Sequence, residues 1–111
     1  MTAFENIVNA IREFGFPYKP DSYEGPSDHY FVYNYADERG ELYRDDGPDH
    51  VVASVQVHFF LPINENYLGI KGRIRAALFE HGFTFPEVTS KIDNKSRHII
   101  FECDIEEDME E

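Results

Sequence analysis

The segment DERGELYRDDGPDH, residues 37–50, gathers the side chains best suited to metal or acid–base chemistry. Carboxylate and imidazole groups are suitable ligands for divalent cations. The candidate ligands are Asp45, Asp46, Asp49 and His50. Their spacing matches neither an EF-hand calcium loop nor a helical zinc motif with two histidines. Gly40 and the pair Gly47-Pro48 are turn signals, so we expect a solvated loop and rank a metal-dependent hydrolase as a distant alternative.

A second candidate site combines two histidines on the polar faces of two predicted strands. If these strands are neighbours, His58 and His98 meet near Glu102 and form an acid–base or metal cluster. The simpler interpretation is that both are half-exposed sheet residues, or groups buried where another subunit packs. Cys103 lies in an apolar stripe, which favours a small core residue over a nucleophile. Since no phosphate-binding glycine loop, nucleophile elbow or paired-carboxylate motif is present, we expect neither enzyme activity nor a cofactor.

The charge of the chain limits its partners. Its 111 residues include 22 acidic and ten basic residues, and the net charge of −12 falls only to −7 when the acidic tail 106–111 is left out. Such a negative field repels phosphate groups, so we expect no sequence-specific nucleic-acid binding and no docking to membranes. A single cysteine excludes an internal disulfide, and residues 1–16 lack the pattern of a signal peptide. Together these features predict an intracellular protein.

Two amphipathic helices must position these residues. Thr2 and Glu5 have the spacing of a capping box, and apolar residues then recur at intervals of three and four up to Gly15, where we expect the helix to end. Asn64 is the predicted cap of the second helix and Gly82 its stop. The apolar side of this helix carries Tyr67, Ile70, Ile74, Ala77, Leu78 and His81.

Four strands complete the prediction. They cover residues 29–35, 51–62, 83–88 and 97–107, with an extended connection over 16–27 and a turn over 92–96. The second strand alternates most clearly between its two faces. The order α-β-β-α-β-β predicts an α+β fold, a two-layer sandwich in which two helices cover one face of a four-stranded mixed or antiparallel sheet. We expect one domain over residues 1–105, followed by the acidic tail 106–111.

Two features indicate assembly. Val52, Phe60 and Ile100 point away from the predicted core, and if they adjoin they form an apolar patch that a partner would cover. The second helix carries Lys71, Arg73 and Arg75, three of the ten basic residues within five positions. These side chains form either a solvated helix face or a docking site for acidic residues of a neighbour.

Four runs of the sequence carry a resemblance to a known family. The runs YNYADERGELYRDD, VQVHFFLPINENY, RIRAALFEHGFTFPEV and RHIIFECDIEE resemble the small tail-completion or tail-terminator (head–tail joining) proteins of long-tailed bacteriophages and prophages. The similarity extends over nearly the whole chain, in the order of elements and general texture, and includes no catalytic motif. It implies a virion structural protein whose subunits form a ring, typically a hexamer, at the head-proximal end of the tail tube.

The resemblance also implies the partners: further copies of the chain, the tail-tube protein and the head–tail connector protein. The implied location is the virion tail or neck, with the host cytoplasm during assembly. Because a ring joins two different surfaces, we hypothesise that an acidic arm meets the basic residues of the second helix on a neighbour. The acidic residues are Asp37, Glu38, Glu41, Asp45 and Asp46. The alternative is a small acidic adaptor or inhibitor that binds a basic protein.

Overall fold

The computed structural model describes residues 2–44 and 47–108, with the backbone alone for residues 39–44, 47–50 and 108. In chain order the elements are α1 (Ala3–Ile11), β1 (Tyr18–Pro20), β2 (Tyr30–Arg44), β3 (Gly47–Pro62), α2 (Leu68–Glu80), β4 (Glu87–Asp93) and β5 (Ser96–Asp108). The strands form one sheet in the order β1-β2-β3-β5-β4. Strand β1 runs parallel to β2, and the other neighbouring pairs are antiparallel. The α+β class is confirmed. The sheet is mixed, which is one of the two predicted arrangements, but it has five strands instead of four.

Helix α1 begins with the capping box that the sequence predicts. The Thr2 hydroxyl accepts a hydrogen bond from the Glu5 amide at 3.2 Å, and the Glu5 carboxylate accepts one from the Thr2 amide at 2.7 Å. A 3-10 turn over Arg12–Phe14 continues the helix to Gly15, whose φ of 84° ends it. The predicted end at Gly15 is therefore confirmed.

The predicted loop over residues 37–50 is wrong for the residues that the structure describes. Strand β2 continues to Arg44 and β3 starts at Gly47, with antiparallel pairing from Asp37 opposite Ser54 to Arg44 opposite Gly47. We call this hairpin, residues 37–54, the arm. Asp45 and Asp46 lie outside the described residues. A bulge between Tyr35 and Asp37 lies where the arm begins on β2.

Three smaller differences have local causes. Strand β1 was missed because Pro17 and Pro20 argue against a strand, although proline is tolerated at a sheet edge. Helix α2 starts at Leu68, where the Asn66 side chain, rather than that of Asn64, accepts from the Leu68 amide at 3.1 Å. Strand β4 follows the predicted strand 83–88 rather than coinciding with it.

The core lies between one face of the sheet and both helices. Ile7 and Ile11 of α1 and Ile74 and Leu78 of α2 are fully buried. The sheet contributes Phe31, Ala53, Val55, Val57, Phe59, Leu61, Ile99, Phe101 and Cys103 to the same cluster. Alternate residues of β3 are buried as predicted, and no helix in the described part of the chain covers the other face of the sheet. We call this second face the open face.

Strand β5 (Ser96–Asp108) confirms the predicted strand 97–107 and extends into the predicted tail. Residues 106–108 pair with Val52, Val51 and His50 of β3. The Glu107 carboxylate accepts hydrogen bonds from the backbone amide of Ala3 and from the Tyr35 hydroxyl, the latter at 2.7 Å. An acidic residue of the tail thus holds the start of α1, where an anion is favoured by the helix dipole.

Candidate assembly interface

A row of rings crosses the open face of the sheet. The register places Tyr30 of β2, Phe60 of β3, His98 of β5 and Lys91 of β4 side by side. The ring centroids are 4.6 Å apart between Tyr30 and Phe60 and 4.2 Å apart between Phe60 and His98. Tyr23, from the connection before β2, stacks on Tyr30 at 4.5 Å and extends the row. Because the rings stack on one another, the row stiffens the sheet and leaves His98 only 9% exposed.

The two histidines meet, as the strand assignment predicted. His98 Nε2 and His58 Nδ1 are 2.7 Å apart, and His58 Nε2 lies 2.9 Å from the oxygen of Asn34. The Asn34 amide nitrogen donates to Gln56, and Gln56 donates to Glu102 at 2.8 Å. The Asn34 oxygen can only accept, so His58 donates to it from Nε2. A neutral His58 then accepts at Nδ1, and His98 donates to it from Nε2. Glu102 is therefore linked to the histidines through the side-chain amides of Gln56 and Asn34, and it contacts neither histidine directly.

Both histidines are neutral near pH 7. Burial, reinforced by His58 and Lys91, lowers the pKa of His98 to about 4. Burial and then Lys91 also lower the pKa of His58. A base whose pKa lies this far below neutrality takes up few protons at pH 7, so the geometry favours the structural interpretation of the pair. Among the described residues, no group of three or more His, Cys, Asp or Glu side chains is placed to hold a metal ion.

Cys103 is a core residue, as predicted. Its side chain lies in the main apolar cluster, and burial raises the pKa of the thiol to about 12. The nucleophilic form is the thiolate, which is scarce at neutral pH for such a group.

The predicted apolar patch of the open face is only partly assembled. Phe60 and Ile100 lie on adjacent strands, with Phe60 opposite His98 and Ile100 opposite His58. Val52 lies eight residues before Phe60, opposite Glu106, which places it about 26 Å along the strand. Phe60 and Ile100 thus adjoin, whereas Val52 belongs to the arm.

The three predicted basic residues do not share one face of α2. Arg75 donates from Nε to the Pro86 carbonyl at 2.7 Å, and its guanidinium lies 4.3 Å from the ring centroid of Phe85. Lys71 lies one turn earlier, with its ammonium 5.6 Å from the ring of Tyr67. Arg73 is two positions from each and points to the other side of the helix. Arg75 therefore contacts the segment just before β4, Lys71 lies on the same side of α2, and Arg73 does not.

The acidic residues predicted to form an arm are carried by strands rather than by a loop. Asp37 and Glu38 are exposed near the base of the arm, on β2. Glu41 is paired through its backbone with His50. Strand β1 pairs with β2 only at Phe31–Tyr33, so beyond Tyr33 no described strand covers the outer edge of β2. We call this edge, residues 34–44, the arm edge.

Sequence analysis missed a surface on the other side of the sheet. The five large apolar side chains that are most exposed among the described residues are Ile63, Leu68, Phe79, Phe85 and Ile92. Four of them lie on α2 or in residues 85–93. The fifth, Ile63, lies next to this region because its amide donates a hydrogen bond to the Lys95 carbonyl in the turn after β4. We call α2 together with residues 85–93 the α2–β4 edge.

This surface carries charges of both signs. Besides Lys71 and Arg75 it includes Lys91 and, in the adjoining strand, Arg97, whose guanidinium lies 4.0 Å from the Tyr67 ring. Its exposed acidic residues are Glu80, Glu87 and Asp93. One signal in the sequence would have found its apolar part: Leu68 and Phe79 fall outside the buried stripe of α2 and are seven and four residues from Arg75.

Comparison with protein-family models and with curated protein sequences gives no match for this chain. Neither helix in the described part of the chain has the length and apolar character needed to cross a membrane.

Proposed function

We propose that this protein is a structural subunit of a bacteriophage or prophage tail. In this role it forms a ring at the head-proximal end of the tail tube, ends polymerisation of the tube and joins the tail to the head. The observation that carries the proposal is that one sheet has two unlike exposed edges. The arm edge and the α2–β4 edge lie on opposite sides of the strand order. Subunits with two different contact surfaces associate head to tail and close into a ring when the rotation between them allows.

The shape of the subunit supports this role. The molecule measures 54 × 25 × 24 Å, and this elongation suits a subunit whose arm reaches a neighbour.

Light scattering tests the proposal. The mass in solution is measured over a range of protein and salt concentrations, first for the protein alone and then with tail-tube protein. We expect a discrete species near the mass of a ring; six subunits of 13.0 kDa give about 78 kDa. Added salt should shift the species towards monomer because it screens exposed charges. A monomer under every condition, including with tube protein, contradicts the proposal.

The open face favours one alternative function. Glu87 and Glu102 are exposed on the same face of the sheet as the apolar residues Phe60 and Ile100, a combination that suits a basic protein segment with an apolar side chain. A small acidic adaptor or inhibitor would use this face and would be monomeric by itself. A stable monomer that binds a lysine-rich protein through this face, with loss of binding in Glu102→Lys, would favour the adaptor over the ring.

A further inference from the structure

We propose that His29 is a pH-sensitive latch that fastens the connection before β2 to the turn that leads into α2. The latch is closed while the imidazole carries both of its protons, and it opens when the ring loses one of them. The connection covers residues 21–29 and the turn covers residues 63–67. The latch belongs to the single subunit, so it operates whether or not the protein assembles.

The contacts of the His29 ring define the closed state. Its Nδ1 lies 2.8 Å from the Asp28 carboxylate, and its Nε2 lies 2.9 Å from the Glu65 carboxylate. An ionised carboxylate can only accept hydrogen bonds, so both ring nitrogens must donate. Only the imidazolium form has two N–H groups, and a neutral ring would turn a lone pair towards one of the carboxylates. The contact with both partners therefore requires a cationic His29.

The charged groups around the ring come from three segments of the chain. Asp28 belongs to the connection, Glu65 to the turn, and Arg73 of α2 lines the same cavity as the ring. The hydrogen bond with Glu65 has the largest effect and raises the pKa of His29 above its ordinary value, burial lowers this pKa, and Asp28 raises it further. The carboxylate of the turn is thus the main partner that holds the proton on the ring.

The ring also forms part of the wall of a cavity of about 380 Å³. Phe16 stacks on the ring with the centroids 5.2 Å apart, and its own centroid lies 5.4 Å from that of Phe59. Phe59 and Leu61 of β3 line the cavity and belong to the buried core. The first turn of α2 contributes residues 69 and 70. Opening of the latch therefore gives water access to an apolar part of the core.

Other contacts hold the rest of the connection in place. The Tyr23 ring stacks on Tyr30 at 4.5 Å, and its hydroxyl accepts a hydrogen bond from the Ser27 amide at 3.2 Å. The Ser27 hydroxyl donates to the His29 carbonyl at 2.7 Å and accepts from the His29 amide at 3.2 Å. These contacts do not depend on the charge of the imidazole, so they persist when the latch opens. We therefore expect a local opening, at residues 63–67 and the first turn of α2.

The latch opens as the pH rises. The pKa of His29 in the folded protein lies above the ordinary value of 6.5. The latch is therefore fully closed below about pH 6.5 and opens as the pH increases through the raised value. The local opening should follow the same curve as the titration, because both depend on the loss of one proton from one ring.

Two measurements on the wild-type chain test the latch between about pH 5.5 and about pH 9.5. Proton–nitrogen correlation spectra report the protonation of each ring nitrogen of His29. Hydrogen exchange, corrected for its intrinsic pH dependence, reports the opening of residues 63–70. We expect both nitrogens to be protonated at low pH, and the protection of residues 63–70 to fall by about threefold at high pH, as suits the loss of an exposed ion pair. The two curves should share one midpoint, above about pH 6.5.

Matched variants assign the effect to this contact. His29→Gln and Glu65→Gln remove the latch, so protection of residues 63–70 should already be reduced at about pH 6 and should stay constant up to about pH 9. His81→Gln removes a histidine at the other end of α2, and Glu24→Gln removes an exposed carboxylate of the same connection. Both controls should keep the wild-type curve. Thermal unfolding of every variant checks that the fold is intact.

The NMR and exchange results can each overturn the latch. It is overturned if one nitrogen of His29 is unprotonated at about pH 6, or if the ring titrates at or below about pH 6.5. It is equally overturned if the protection of residues 63–70 does not follow the charge of His29, or if it changes with pH in the same way in His29→Gln. The comparison of the two wild-type curves needs no variant, so a substitution that prevents folding leaves the test intact.

Discussion

Replacement of Glu107 by alanine should destabilise the fold, although the residue belongs to an acidic run at the end of the sequence. Its carboxylate accepts hydrogen bonds from the fully buried Ala3 at the first turn of α1 and from the half-buried Tyr35 hydroxyl. A hydrogen bond to a charged group contributes about 1.5–3 kcal/mol, and an anion at a helix start about 0.3–1 kcal/mol. Because water partly replaces the lost partner, we expect Glu107→Ala to lower the free energy of unfolding by about 2 kcal/mol.

Urea unfolding measures this loss. With a slope of about 2 kcal/mol per molar urea, the midpoint should fall by about 1 M while the slope stays constant. Glu102→Ala is the matched control: it removes the same charge from an exposed position on the same strand and should change the free energy by less than about 0.5 kcal/mol.

A double-mutant cycle with Tyr35→Phe isolates the contact between the two side chains. The two substitutions remove one shared hydrogen bond, so their effects should fall short of additivity by about 1 kcal/mol. The reasoning is refuted if Glu107→Ala costs no more than Glu102→Ala, or if the effects of Glu107→Ala and Tyr35→Phe are additive.

Four further predictions follow from burial and charge. The pKa of His98 is lower in the folded protein than in the unfolded chain, so thermal stability should fall as the pH drops from about 6.5 to about 4, and His98→Gln should flatten this dependence. The carboxylates of Glu65 and Asp28 raise the pKa of His29, so His29→Gln should lose more stability at about pH 5.5 than at about pH 8. Ellman's reagent should label Cys103 about a hundredfold more slowly in the folded protein than in urea. Phe85→Ser should lower the free energy of unfolding by about 1 kcal/mol, because it removes the ring contacts with Phe79 and Arg75, and should weaken assembly measured by light scattering.

The parts of the fold that local sequence determines were predictable. The capping box of Thr2 and Glu5 and the alternation along β3 each depend on neighbours within a few residues, and both occur as expected. The contact between His58 and His98 followed from the same alternation, once the two strands were taken as neighbours. The series of hydrogen bonds from His98 to Glu102 could not be predicted from this alternation, because it depends on the register across the three strands β2, β3 and β5.

Features that depend on distant pairing were not predictable from local patterns. The alternation predicted a strand up to residue 107, but it did not show that residues 106–108 pair with β3, about 55 residues earlier in the chain. Glu107 contacts Ala3 at the other end of the sequence. Strand β1 is formed by pairing with β2 in spite of its proline, and nothing in residues 18–20 indicates that partner.

The composition of the arm explains why residues 37–50 were predicted to form a loop rather than strands. Strand propensity mainly reflects the packing of side chains on a half-buried surface. The segment 37–44 lacks alternating apolar residues, and its strand depends on backbone pairing with β3. Charged residues on an edge strand also prevent indiscriminate pairing with other strands.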